Sequence, residues 1–363
     1  MKTQSLSTLL DSHLDSFLDA HRLPPDKIKV LKSYRACRTA RMGSHAQYCE
    51  QGHPMGVWYN SCKRRGCPQC RTMDTERWLQ AARGTLLAET HHHWVFTIPH
   101  ELIPLWQYNT PVMQDLLFRS VADTIKQLAR DRSLLGAQPG FLLNLHSWGR
   151  NLSLHPHIHC LITHGGLDQQ GQWRSPKKKI MFPAKVLMTL FRGKFLAGLR
   201  RLTSLSLPPN FAPNEHRWLA SKLAVKDWVV HCCKPYAHGH GVVTYLARYI
   251  KRGPVNLRQI KLTDNGSVRF RYQDHQTGRT QRTLPPISFL KLFVQHLAER
   301  GKPLLRYYGL YHPGRREVLD LARSHFGQAP VTAQTSLHWT EYLAARGQFP
   351  VCDICQSRLA VSN

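Results

Sequence analysis

The sequence predicts a mixed α+β protein with a small metal-stapled module near its N-terminus. Short β-branched or aromatic runs bounded by Pro or Gly read as strands: HWVFTI at 93–98, FLLNLHSW at 141–148 and PHIHCLIT at 156–163. Stretches with apolar residues at helical spacing lie between and around them. From 37 to 70 the chain is instead rich in Cys, Gly, His and Arg and has no apolar period.

Taken in order, Leu6, Leu9, Leu10, Leu14, Phe17 and Leu18 predict an amphipathic helix over 5–20 that ends before Pro24 and Pro25. Trp78, Leu79, Ala82, Leu86 and Leu87 give residues 73–89 a buried helical face. After the first strand, a helix fits 112–130. Gly165 and Gly166 are expected to close the third strand. Residues 170–240 predict helices over 184–202 and 215–231. VVTYLARYIKRG reads as a short helix stopped by Gly253 and Pro254. The runs 268–272 and 281–284 flank the turn-rich HQTGR and predict a hairpin, followed by a helix over 287–300 and a basic, turn-rich tail.

Charge narrows the function. The 363 residues carry 50 Lys and Arg against 22 Asp and Glu, a formal net charge of +28. Such self-repulsion calls for a polyanionic partner, nucleic acid first, and argues against an enzyme of small neutral metabolites. With 42% hydrophobic residues the chain can bury a core. No stretch reaches the about 20 consecutive apolar residues of a membrane span, and the N-terminus lacks a secretory pattern. A cytoplasmic protein without a membrane partner is expected, in which ten cysteines stay reduced and clustered ones serve as metal ligands.

Three constellations carry chemistry. The first is Cys49, Cys62, Cys67 and Cys70, with His45 and His53 interleaved; Cys67 and Cys70 form a C-x-x-C turn that supplies two zinc ligands at once. Four of Cys49, His53, Cys62, Cys67 and Cys70 are expected to bind structural Zn²⁺; Gly52 stands where a second C-x-x-C would need cysteine. Lys63, Arg64, Arg65 and Arg71 surround the cluster and suit DNA phosphates. A further C-x-x-C, Cys352 and Cys355, either finishes a zinc site with distant cysteines or is an unoccupied remnant. The second constellation is His155-Pro156-His157-Ile158-His159. On a strand His157 and His159 share a face and can grip one divalent cation, and His155 joins them if Pro156 does not break the strand. The third is Tyr245 and Tyr249, one helical turn apart, with Arg248, Lys251 and Arg252 placed to hold phosphates beside the phenols. Separately each has a structural reading: buried thiols, packed histidines, an amphipathic helix. Together they suit a tyrosine attacking a phosphodiester whose oxygens a cation polarises.

These residues resemble the transposases of the insertion sequence 91 family, rolling-circle enzymes of the two-tyrosine HUH endonuclease class (His, hydrophobe, His). The resemblance rests on YNSCKRRGCPQC, VFTIPHEL, LHPHIHCLITHGG, YLARYIKRG, VRFRYQDHQTGRTQRTLP and RYYGLY, in order along most of the chain. It implies an HUH core, a central antiparallel sheet flanked by helices with the histidines on a middle strand. It also implies His157 and His159 as ligands of Mg²⁺ or Mn²⁺, and Tyr245 and Tyr249 as nucleophiles. His155 leads as third ligand, with His100 behind it. The implied activity is nicking and rejoining of single-stranded DNA through 5′-phosphotyrosine intermediates, on transposon ends with subterminal hairpins and a tetranucleotide target. Host replication enters as a possible partner, and the expected location is the bacterial nucleoid. Trp58, Tyr59, Trp148 and Trp173 are candidates for base stacking or for core packing.

The organisation expected is a zinc-binding, DNA-contacting module over 1–75, a nuclease core over 76–310 with a helical insertion around 170–240, and a basic tail over 311–363. Three alternatives stand beside it. A replication initiator or relaxase would use the same residues, although the leading zinc module favours a transposase. A non-catalytic zinc DNA-binding protein, or an inactivated transposase, would need neither the histidines nor the tyrosines. A zinc hydrolase would need a carboxylate base that is not close in sequence.

Overall fold

The computed structural model describes residues 6–177, 180–233, 235–236, 243–244, 253–272, 278, 280–298, 301–332 and 335–360. It divides into two compact units. One comprises Met1–Ala81, Ala247–Leu297 and Gln334–Asn363; the other comprises Ala82–Leu246 and Ala298–Ala333. The boundaries expected from sequence fall differently, because the last stretch of the chain returns to the N-terminal module and residues 298–333 complete the sheet-bearing unit.

In the first unit, α1 (Leu6–Ala20) buries Leu6, Leu9, Leu10, Leu14 and Phe17, the face its spacing predicts. It packs on α2 (Pro25–Ala36) and on α8 (Pro286–Val294). Phe289, Leu290 and Phe293 of α8 are buried, and the Phe293 ring lies 6.2 Å from that of Tyr34. The hairpin β1 (Ser44–Tyr48) and β2 (Pro54–Tyr59) follows α2, and α3 (Thr72–Thr85) follows the cysteine-rich loop. The expected hairpin is present as β9 (Val268–Arg271) and β10 (Gln281–Leu284), and β8 (Ile260–Leu262) adds a third antiparallel strand.

The second unit is built on an antiparallel sheet in the order β11 (Leu305–Gly309), β4 (Gln138–Trp148), β5 (Leu154–Leu167), β3 (His91–Thr97), β7 (Val229–Cys232), with β6 (Trp173–Arg174) beside β5. Alternation along the strands assigns the faces. Trp94 and Phe96 of β3, Phe141, Leu143 and Leu145 of β4, and Ile158, Cys160 and Ile162 of β5 enter one apolar core. That core is capped by α4 (Ile103–Tyr108), α5 (Thr110–Arg130) and α6 (Ala184–Arg200), which supply among others Trp106, Leu117, Phe118, Val121, Phe191 and Phe195. Full burial of each such side chain contributes about 1.5–3 kcal/mol. The helix expected over 215–231 stops early: α7 is Glu215–Ala224, and Trp228 is buried before the β-branched pair Val229 and Val230 turns the chain into edge strand β7.

Gly165 and Gly166 do not end β5, which runs on to Leu167. A Cβ on Gly166 would lie 2.4 Å from the Gln138 carbonyl carbon, and one on Gly165 would lie 2.5 Å from the Arg174 carbonyl oxygen. The two glycines admit the neighbouring backbones instead of stopping the strand. Gly166→Ala should therefore cost roughly 1–3 kcal/mol. Thermal melting of the variant checks this, and an unchanged Tm would refute the close approach.

Candidate metal centres and nucleic-acid interface

On the sheet face opposite the core, β5 presents His157 and His159. Register brings His146 of β4 directly across from His157 and Asn144 across from His159. Ligand nitrogens of His146, His157 and His159 all lie within 4.8 Å of one another. The Nε2 atoms of His157 and His159 are 3.1 Å apart, and the His146 and His159 ring centroids are 4.3 Å apart. The third member of the group is thus His146. His155 and His100 are exposed and stand outside it. The physical reason is the pleat: cross-strand neighbours face each other more closely than residues two apart along one strand.

Neighbouring groups orient these rings. His157 donates from Nδ1 to the His155 carbonyl at 2.6 Å, which leaves Nε2 free to ligate. His159 Nδ1 meets His93 Nε2 of β3 at 2.8 Å, so its Nε2 too is turned toward His157. Asn144 Nδ2 lies 2.6 Å from His146 Nε2, and Asn144 Oδ1 is buried without a hydrogen-bond partner among the described residues. Trp148 stacks on His146 at 4.8 Å, packing against the cluster. Burial keeps every imidazole of the group neutral. It pushes His157 down to about 4 and holds His146 and His159 well below the ordinary 6.5. Convergent neutral nitrogens with fixed tautomers are what a divalent cation needs.

The cysteines form two groups. Cys37, at the C-terminal end of α2, gathers with Cys62, Cys67 and Cys70 of the loop before α3; their Sγ atoms lie within 4.8 Å of one another, and Cys62 and Cys70 are 3.7 Å apart. Hydrogen bonds from Cys37, Cys62 and Cys67 favour the thiolate of Cys70. Cys49 and His53, expected with this set, lie instead with Cys352 and Cys355. The separation follows from the hairpin: Cys49 and His53 occupy the turn between β1 and β2, while Cys62, Cys67 and Cys70 follow β2 on a loop that folds back on α2. The loop is held there by Tyr34, whose hydroxyl donates to the Arg65 carbonyl and whose own carbonyl accepts from Gln69 at 3.0 Å.

Lys63, Arg64 and Arg65 are exposed on this loop. In the second unit, a cleft of about 1090 Å³ is lined by Lys126, Arg130, Arg132, Arg174, Lys177 and Arg315 together with Asp168. Tyr245, Tyr249, Arg248, Lys251 and Arg252 lie outside the described residues. Trp58, Trp148 and Trp173 are half-buried, and Tyr59 is exposed. Among the described residues no helix is long and apolar enough to cross a membrane.

Comparison with known proteins defines the class first. A family model described as "Putative transposase" matches residues 140–318, and one described as "Transposase zinc-binding domain" matches residues 9–98. "Putative transposase y4qJ" of Sinorhizobium fredii is 33% identical over 319 residues, covering 85% of this chain and 80% of that protein. The transposase for insertion sequence element IS801 of Pseudomonas savastanoi pv. phaseolicola is 33% identical over 316 residues, covering 82% and 75%. A solved structure of the conjugative relaxase TrwC in complex with oriT DNA is 15% identical, covering 42% of this chain and 67% of that one; its TM-score of 0.25 is too low to bear on the fold. The chain belongs to the insertion sequence 91 family of transposases. It is therefore a transposase, a DNA-binding nuclease and strand transferase, whose zinc-binding domain match runs from residue 9 into the first strand of the sheet.

The histidines make the sheet acid-sensitive. Besides the three of the cluster, His92 and His93 of β3 are held down to about 4 by burial. Groups depressed in the fold bind protons more readily once unfolded. Their contribution is complete above about 6.5, is lost as pH falls below it, and levels off near 4. Amide protection factors in β3, β4 and β5, which take out the slowing of intrinsic exchange with falling pH, should drop between pH 7 and 4.5. Protection that stays constant over that interval would contradict neutral burial of these rings.

Proposed function

We propose that the chain nicks and rejoins single-stranded DNA at the ends of a transposable element, with Tyr245 and Tyr249 as nucleophiles. The phenolic oxygen attacks the phosphorus, the bond to the 3′-oxygen breaks, that oxygen leaves as a hydroxyl after taking a proton, and the phenol's own proton passes to solvent. The product is a 5′-phosphotyrosine that keeps the free energy of the cut bond, so no nucleotide cofactor is consumed. The second tyrosine serves the second strand transfer. The observation that carries this reading is the convergence of His146, His157 and His159 inside the segment matching the transposase family.

Those three residues would hold Mg²⁺ or Mn²⁺, and the cation when bound would draw charge from the non-bridging phosphate oxygens. His93 and the His155 carbonyl hold the rings of His159 and His157 in ligating orientation. Arg248, Lys251 and Arg252 would hold the scissile and neighbouring phosphates. The cleft bearing Lys126, Arg130, Arg132, Arg174, Lys177 and Arg315 offers a track for single-stranded backbone, and Lys63, Arg64 and Arg65 would grip duplex or hairpin DNA. Structural Zn²⁺ is assigned to Cys37, Cys62, Cys67 and Cys70. A replication initiator would share the histidines and tyrosines, but the zinc-binding domain and the two transposase relatives favour transposition.

With Mn²⁺ and single-stranded oligonucleotides carrying element ends, the chain should form a covalent adduct on a denaturing gel. Tyr245→Phe combined with Tyr249→Phe should abolish it, and persistence of the adduct would rule both out as nucleophiles. His93→Ala should leave adduct formation possible but raise the Mn²⁺ requirement roughly 10–100-fold, the usual cost of losing a group that orients a ligand. An unaltered Mn²⁺ titration would remove His93 from this role.

A further inference from the structure

The second cysteine group belongs to the first unit, and two of its members come from the stretch 334–363. The turn between β1 and β2 supplies Cys49 and His53; the turn near the C-terminus supplies Cys352 and Cys355. The match to the zinc-binding domain stops at Ile98 and includes only the first pair. We propose that these four residues form a second zinc site of Cys₃His type, which fastens the C-terminal segment to the N-terminal module.

The spacing is that of a metal tetrahedron. Zinc sits about 2.3 Å from sulfur and about 2.0–2.1 Å from nitrogen, which sets ligand–ligand edges of about 3.8 Å for S···S and about 3.5 Å for S···N. Cys49 Sγ is 3.7 Å from Cys355 Sγ and 3.5 Å from His53 Nδ1, and His53 Nδ1 is 3.3 Å from Cys355 Sγ. A disulfide would require about 2.05 Å between sulfurs. All four ligand atoms lie within 4.8 Å of one another.

Each turn is shaped to aim its ligands. Gly52 takes φ +82°, its N–H donates to the Cys49 carbonyl at 2.8 Å, and the His53 N–H donates to Cys49 Sγ at 3.3 Å. An N–H aimed at sulfur stabilises thiolate and orients it. Opposite, Gln356 takes φ +59°, its N–H donates to the Cys352 carbonyl at 2.9 Å, and Ser357 Oγ lies 3.0 Å from Cys355 Sγ. The two turns are already joined by backbone: Glu50 N–H donates to Arg358 O at 3.0 Å, and Ala360 N–H to Tyr48 O at 2.8 Å. Cys49, Cys352 and Leu359 are buried, whereas Tyr48, Val351 and Ile354 around them are 50%, 50% and 69% exposed. So little apolar burial does not hold two turns together, and a structural metal supplies what the core lacks. His53 also accounts for Gly52: the ligand that a C-x-x-C would place at 52 comes from the next residue.

The full chain, purified without chelator, should contain two zinc ions, one of them in the Cys37 group. Cys352→Ser with Cys355→Ser should leave one, and limited proteolysis should then trim the C-terminal segment. Cys62→Ser with Cys70→Ser should also leave one, but with the C-terminal segment still protected. His53→Cys, which keeps four ligands, should retain both ions. Should a serine variant fail to fold, the wild-type chain suffices: Cys49, Cys352 and Cys355 should resist alkylation until a chelator is added. Ready alkylation of these three in the native chain, a mass 2 Da low from a disulfide between them, or two zinc ions retained in Cys352→Ser/Cys355→Ser would each overturn the proposal. None of these readouts depends on DNA cleavage, so failure here is distinct from failure of the nuclease reading.

Discussion

A one-residue slip of β5 against its neighbours would drive His157 and His159 into the apolar core and turn Ile158, Cys160 and Ile162 onto the ligand face. The pairing of β5 with β4 on one side and β3 on the other forbids that slip, because Phe141, Leu143 and Leu145 on one strand and Trp94 and Phe96 on the other bury against the same three side chains. Hydrophobic burial on one face therefore sets the register, and register brings the imidazoles of the other face together. Everything the histidine cluster can do depends on that coupling. It also explains why the cluster tolerates being buried: the core fixes the strands, and the rings have only to remain neutral.

Neutral burial in turn connects the cluster to its surroundings. An imidazole that must ligate needs one nitrogen free and the other engaged, and the backbone carbonyl of His155 and the ring of His93 provide that engagement. Within the same unit, basic side chains line the cleft, and in the first unit others are exposed on the cysteine loop.

Much of this was legible in the sequence because it is periodic or local. The strand pair 157 and 159, the amphipathic first helix and the 268–284 hairpin all follow from spacing over a few residues. His146 was harder to read, although FLLNLHSW carries a signal: Asn144 and His146 are polar at period two within an otherwise apolar run, on the face that β5 also makes polar. Cys37 lacked such a signal, since only the fold-back of the loop onto α2 brings it to Cys62, Cys67 and Cys70. The partnership of Cys49 and His53 with Cys352 and Cys355 was beyond local reading altogether, as about three hundred residues separate the pairs.

That separation has a kinetic side. The hydrogen bonds that close the β1–β2 turn onto residues 358–360 have the longest chain loop to bridge, and contacts of such span form late and slowly. During synthesis the N-terminal turn emerges early and waits, its Cys49 thiol uncovered, until residue 360 has left the ribosome. A chain cut short before residue 352 would keep Cys49 and His53 without the two cysteines that complete their group.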